Sequence, residues 1–221
     1  MAFWLRRLRN TAVAATALAT ALPAILTGAE AQSGEEVEQP AFAVVAEEGA
    51  MQLRRYEPTI EARLTVQAPS AERAANQAFM RLAGYIFGGN AEGQKIAMTA
   101  PVTTRAPQAL TVSGEGGTLS GEGAYTVAFT MPSRWTMETL PAPKDTDVVL
   151  EKVPERHIAA WRKTGPLQDA ETEAAIDELI DFARKAGFTP AGAPMRAGYD
   201  GPSVPAAERR QEVMLPVERT P

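Results

Sequence analysis

One histidine and no cysteine bound the chemistry open to this 221-residue chain. A two-His zinc site, a 2-His-1-carboxylate iron site and a Cys-His nucleophile pair all need residues that one chain lacks. A serine triad would have to use His157, yet no Gly-x-Ser-x-Gly elbow sets a serine on a strand-to-helix turn. His157 shares a strand face with Ala159 and Trp161 and reads as a strand-edge histidine. Glu57 and Glu61, both in strand context, are the general-base candidates for hydrolysis or isomerisation of a small molecule. The remaining chemistry is binding. Met80, Ala83 and Phe87 fall on one flank of a helical pattern together with Arg73 and Asn76, a stripe wider than docking on one sheet requires. Such a flank makes a shallow apolar groove with a cation at its rim, suited to a flat, acidic, mostly apolar ligand.

The helix carrying this flank starts at Ser70, a capping residue, with Glu72 in its first turn, and stops at Gly88-Gly89-Asn90. Its core line is predicted to be Ala75, Phe79, Leu82 and Ile86. After the stop, Ile96, Met98, Ala100 and Val102 alternate with Ala97, Thr99 and Thr103, which predicts a strand. Further strands are expected from Phe42, over 51–56 after a Gly49-Ala50 turn, over 60–66, and over 125–131. The Gly-rich stretch 105–124 has neither the Lys-Ser/Thr ending nor the following helix of a phosphate loop, so a long hairpin connection is expected. Residues 133–147, with Trp135 and Met137 among prolines, form an irregular crossover. Strands over 148–153 and 157–163 then lead to a second amphipathic helix over 167–186, whose buried face is Ile176, Leu179, Ile180 and Ala183. Tyr199 is assigned to a surface loop over 198–205, before a last strand over 212–217.

The halves repeat. Each reads as a strand pair, a helix and a returning strand, which implies a pseudo-two-fold α+β sheet with both helices docked on it.

The first 31 residues read as a secretory signal peptide: Arg6, Arg7 and Arg9, an uncharged Ala-rich run, then Ala29-Glu30-Ala31 as the cleavage site. Arg6-Arg7 gives a faint twin-arginine pattern. Cleavage near Ala31 leaves a periplasmic or secreted chain with no membrane span. Residues 32–41 form an acidic, disordered lead-in. Removing three arginines and one glutamate with the leader takes the net charge from −5 to −7, which offers nothing to nucleic acid. Residues 42–218 are expected to form one domain.

Specific residue runs then resemble a known family. Tyr85-Ile86-Phe87-Gly88-Gly89-Asn90 and Lys95-Ile96-Ala97-Met98-Thr99-Ala100-Pro101-Val102 are similar to the signature of the SOUL haem-binding protein family. Arg55-Tyr56-Glu57-Pro58, Phe129-Thr130-Met131-Pro132, Gly198-Tyr199-Asp200-Gly201-Pro202 and Glu212-Val213-Met214-Leu215 follow in the family's order. The resemblance implies a distorted antiparallel β-barrel flanked by two α-helices, with non-covalent haem or a related tetrapyrrole in a groove along the first helix. With the flank read above, the ligand residues expected are Arg73, Asn76, Met80, Ala83, Phe87 and Met98. Met80, Met98 or Tyr85 would approach the iron, with His157 as the one imidazole, or the groove would hold the macrocycle by apolar contact alone. Basic residues that serve the propionates in animal relatives are replaced here by Asn76 and Gly84, and Arg73 stands one turn away. The reading is a binding module rather than an enzyme. A Glu-based hydrolase or isomerase on a duplicated effector-binding-type sheet, and an envelope interaction module without a ligand, are the alternatives.

Overall fold

A computed structural model describes residues 37–107 and 119–220. The leader and residues 32–36 of the acidic lead-in therefore lie outside the described residues, as does the middle of the Gly-rich stretch. Residues 37–41 are not the disordered segment expected, because the Glu38–Thr99 bridge and the Ala41 carbonyl fasten them to the fold.

Among the described residues, ten strands and two α-helices follow one another, with a short 3-10 turn at Ala206–Glu208. The first half holds β1 (Phe42–Glu48), β2 (Met51–Tyr56), β3 (Thr59–Ser70), α1 (Ala71–Ile86), β4 (Val102–Arg105) and β5 (Ser120–Thr130). The second holds β6 (Val149–Val153), β7 (Arg156–Thr164), α2 (Asp169–Lys185), β8 (Phe188–Pro190), β9 (Met195–Gly198) and β10 (Arg210–Arg219). All named strand pairs are antiparallel.

The sheet order is β1-β2-β7-β10-β9-β4-β5-β3-β6, with β8 paired to β10. From β2 to β6 this order is a palindrome under the exchange of β2, β3, β4, β5 with β6, β7, β9, β10, so the duplication expected from sequence is present in the topology. Its details differ. The strand pairs β2/β3 and β6/β7 are not hairpins: β2 crosses over to pair with β7 of the second half, and β6 pairs with β3 of the first. Each half thus lends its leading strand to the other. The path is also open, with β1 and β6 each holding one neighbour, rather than the closed barrel that was expected. The strand expected over 96–102 is reduced to β4. Residues 94–101 instead form isolated bridges, Phe87 with Lys95 and Glu38 with Thr99, and Thr99 Oγ1 donates to the Thr130 carbonyl at 2.5 Å. The equivalent of β4 is accordingly β9, and the last strand corresponds to β5.

Both helices pack on one face of the sheet, α1 over β3, β5 and β4, α2 over β10, β8 and β7. Alternation places Leu53, Leu64, Val127, Phe129, Val213 and Leu215 on that face, all buried. The α2 face matches the expectation, with Ile176, Leu179, Ile180 and Ala183 all buried. In α1, Ser70 caps the first turn by accepting from the Arg73 backbone N–H at 3.4 Å. The core line is turned by about one position from the expected one: Ala71, Ala74, Ala78, Leu82, Tyr85 and Ile86 are buried, while Phe79 is 37% exposed.

Candidate functional site

The flank of α1 is open. Met80 is 72% exposed and Phe87 63%, in a helix whose other large apolar side chains are buried or, like Phe79, set edge-on against Phe129 with ring centroids 5.5 Å apart. Burying such side chains is worth about 1.5–3 kcal/mol each, so leaving both in water forgoes a sizeable stabilisation. Between them lies Gly84. A Cβ built there meets nothing within 4 Å, so no neighbouring side chain demands a glycine. Glycine in a helix interior costs about 0.5–1 kcal/mol against alanine. The result is a strip of bare backbone between two apolar side chains that stand about 10 Å apart along the axis. Gly89 differs, because a Cβ there would come within 2.5 Å of the Gly84 carbonyl, which accepts the Gly89 N–H at 2.7 Å.

The cations sit at the two ends of this strip. Arg73 is exposed near the start of α1, and Lys95 is exposed where the Phe87–Lys95 bridge brings it beside the last residue of the flank. Neither holds an ion pair among the described residues. Arg81, by contrast, is held by Asp145 at 2.6 Å and Asp147 at 2.7 Å, which keeps the Asp145 carboxyl below its ordinary range. Asn76 is exposed on the same side as Arg73. Ala83 turns into the core at 4% exposure, and Met98 is half-buried against the core. Tyr85 is also inward: its hydroxyl donates to the Pro141 carbonyl at 3.0 Å, and burial pushes its pKa up to about 12. His157 lies in the other half of the sheet, on the α2 side, with its ring 4.9 Å from Phe188. Burial and the neighbouring Arg219 lower its pKa. The structure therefore gathers Arg73, Asn76, Met80 and Phe87 on one flank and leaves His157 elsewhere. The place of Lys95 beside the flank was not legible in the sequence, because it depends on the bridge to Phe87, which is not a local pattern.

The opposite face of the sheet carries a buried polar network that alternation alone assigns to solvent. Arg54 on β2 donates in bidentate fashion to Glu212 on β10, at 2.8 and 2.7 Å, and also to Gln52 at 2.9 Å and the Tyr56 hydroxyl at 3.1 Å. Tyr199, turned in from its loop, donates to the same carboxylate at 2.7 Å. Strand β7 runs between, and its small Ala160 leaves room for the pair to cross. Burial opposes the Arg54 charge, but the bonds to Glu212 outweigh it and hold the guanidinium above its ordinary pKa. Burial and the Glu212 charge raise Tyr199 well above the usual phenol range. Every polar end of this network is satisfied, and the Phe42 ring covers Arg54 at 4.6 Å. Its chemistry is that of a structural clamp. Glu61 is likewise fixed, with Arg63 at 2.9 Å and Arg156 at 3.0 Å. Glu57 is exposed at the mouth of a separate cleft of about 920 Å³, lined also by residues 38–41, Trp135 and Met137.

A family model described as SOUL heme-binding protein matches residues 37–216. This chain belongs to that family. Among curated relatives of the SOUL chain, heme-binding protein 2 of Homo sapiens is 27% identical over 168 residues, which covers 76% of this chain and 78% of the relative. The Mus musculus heme-binding protein 2 is 24% identical over 163 residues, covering 72% and 76%. Solved structures share the fold at low identity. The EcmrR C-terminal domain has a TM-score of 0.57 at 12% identity, covering 77% of this chain and 98% of its own. A hydrolase from Listeria innocua has a TM-score of 0.50 at 10% identity, covering 79% and 94%. Among the described residues no helix is long and apolar enough to cross a membrane, and no three His, Asp or Glu side chains gather as a metal site.

Proposed function

We propose that this SOUL protein is exported and holds haem or a related tetrapyrrole, reversibly and without a covalent bond, on the open flank of α1. The observation that carries the reading is the bare Gly84 backbone framed by exposed Met80 and Phe87. A planar macrocycle laid there would cover both side chains and contact the helix backbone, and burial of its apolar area would drive association at about 25 cal/mol per Å². Lys95 and Arg73 would meet the ring's carboxylates from either end, as point charge and as planar fork respectively. If the iron takes a ligand from this flank, the exposed Met80 thioether would supply it, whereas His157 lies on the α2 side. Supporting the reading are the family itself and its two mammalian heme-binding relatives. Export rests on the leader pattern of residues 1–31.

Titration of the mature protein with haemin tests it. A saturable, shifted Soret band with one site per chain is expected, and an unshifted band at stoichiometric concentrations would rule out the haem reading. The mass of the protein recovered from the periplasm, shortened by 31 residues, tests the leader.

A further inference from the structure

We propose that the cleft under residues 38–41 is a second binding site, independent of the α1 flank, for a flat apolar monocation. The cleft encloses about 920 Å³, and no residue of α1 lines it. Its walls are Ile60, Met131, Pro132, Trp135, Met137 and Val153. The segment 38–41 is fastened across one side by main-chain bonds: the Glu38 carbonyl accepts the Ala100 N–H at 2.9 Å, and the Ala41 carbonyl accepts the Glu57 N–H at 3.1 Å.

Charge selects the occupant. Three carboxylates, Glu38, Glu57 and Glu138, stand in the lining against one cation, Lys152. Lys152 is neutralised by Glu138 at 3.6 Å, and the Glu38 carboxylate is engaged by the Ser133 N–H at 2.6 Å. Glu57 alone has no partner among the described residues, which leaves one carboxylate facing an apolar cleft. A dicarboxylate such as haem is repelled by this lining, whereas a monocation gains an ion pair and an apolar wall together. Trp135 also lies in the cleft wall, where its ring offers an aromatic surface to a cation.

Two dyes with the same xanthene frame and opposite charge provide the test. Rhodamine 6G is expected to bind saturably by fluorescence anisotropy, and fluorescein not to bind. Glu57→Gln should weaken rhodamine 6G by about fivefold, the scale of one partly exposed ion pair. Trp135→Phe should weaken it by a few-fold as well, and Met80→Asp should leave it unchanged. Equal binding of the two dyes, no binding of rhodamine 6G, indifference to both Glu57→Gln and Trp135→Phe, or loss on Met80→Asp would each overturn the proposal. A chain that fails with haemin but passes these tests loses the haem reading and keeps this one.

Discussion

The helices α1 and α2 are equivalents in a duplicated fold, of nearly equal length, docked on the same face of one sheet, and they treat water differently. No large apolar side chain of α2 is exposed, and its outer surface carries Glu173, Asp177, Glu178, Asp181, Arg184 and Lys185. The outer surface of α1 carries Phe79, Met80 and Phe87 around a glycine that no packing contact demands. The fold alone therefore does not require an apolar outer flank. Since α2 shows that a helix can close this face with an ordinary charged exterior, packing does not account for the exposed residues of α1, and the proposed ligand does.

The comparison is sharpest where the helices should agree. Leu82 and Leu179 are both fully buried, and Leu→Ala at either is expected to cost about 2–5 kcal/mol in urea unfolding. On the outside they should part. Met80→Asp and Phe87→Asp are expected to move stability by no more than about 0.5 kcal/mol, as for exposed sites generally, while haemin affinity falls more than tenfold. Unfolding of either variant would show that the flank is core after all, and would break the contrast with α2.

Next in size is Gly84→Ala. A methyl group at an exposed helical position should raise stability by about 0.5–1 kcal/mol, because the unfolded chain loses freedom and the helix gains a better former. If the bare backbone is a seat for a planar ligand, the same methyl should weaken haemin binding. Stability and affinity moving in opposite directions identifies a ligand contact; affinity unchanged would leave the glycine unexplained.

What the sequence displayed and what it hid follow the same divide between local and non-local information. The α2 face was legible because large aliphatic residues recur every three to four positions along an otherwise charged helix. The α1 core line was misplaced towards Phe79 because its true members include Ala71, Ala74 and Ala78, whose small side chains carry little hydropathy signal. Repetition of strands and helices was visible, but the exchange of β2 and β6 between halves was not, since a strand's pattern does not name its partner. Arg54 and Glu212 alternate with core residues exactly as exposed charges would, and only the covering by Phe42 and the pairing across β7 make them a buried clamp. The open flank at Met80 and Phe87 was legible because apolar excess is local, and the placing of Lys95 beside it was not because that depends on a bridge.

The smallest expected effect belongs to the α2 side. His157 packs by Phe188 with its pKa depressed by burial and by Arg219, so the folded state takes up a proton less readily than the unfolded one. Stability is then fully present above the ordinary histidine value of about 6.5, and it falls as pH drops through that value towards the lower folded pKa. His157→Gln should flatten this part of the profile, read as urea midpoints at steps of pH. It should also leave the haemin-bound Soret band unmoved, because the imidazole lies with α2. A band that shifts on His157→Gln would place the only histidine at the iron and erase the functional difference between the two helices.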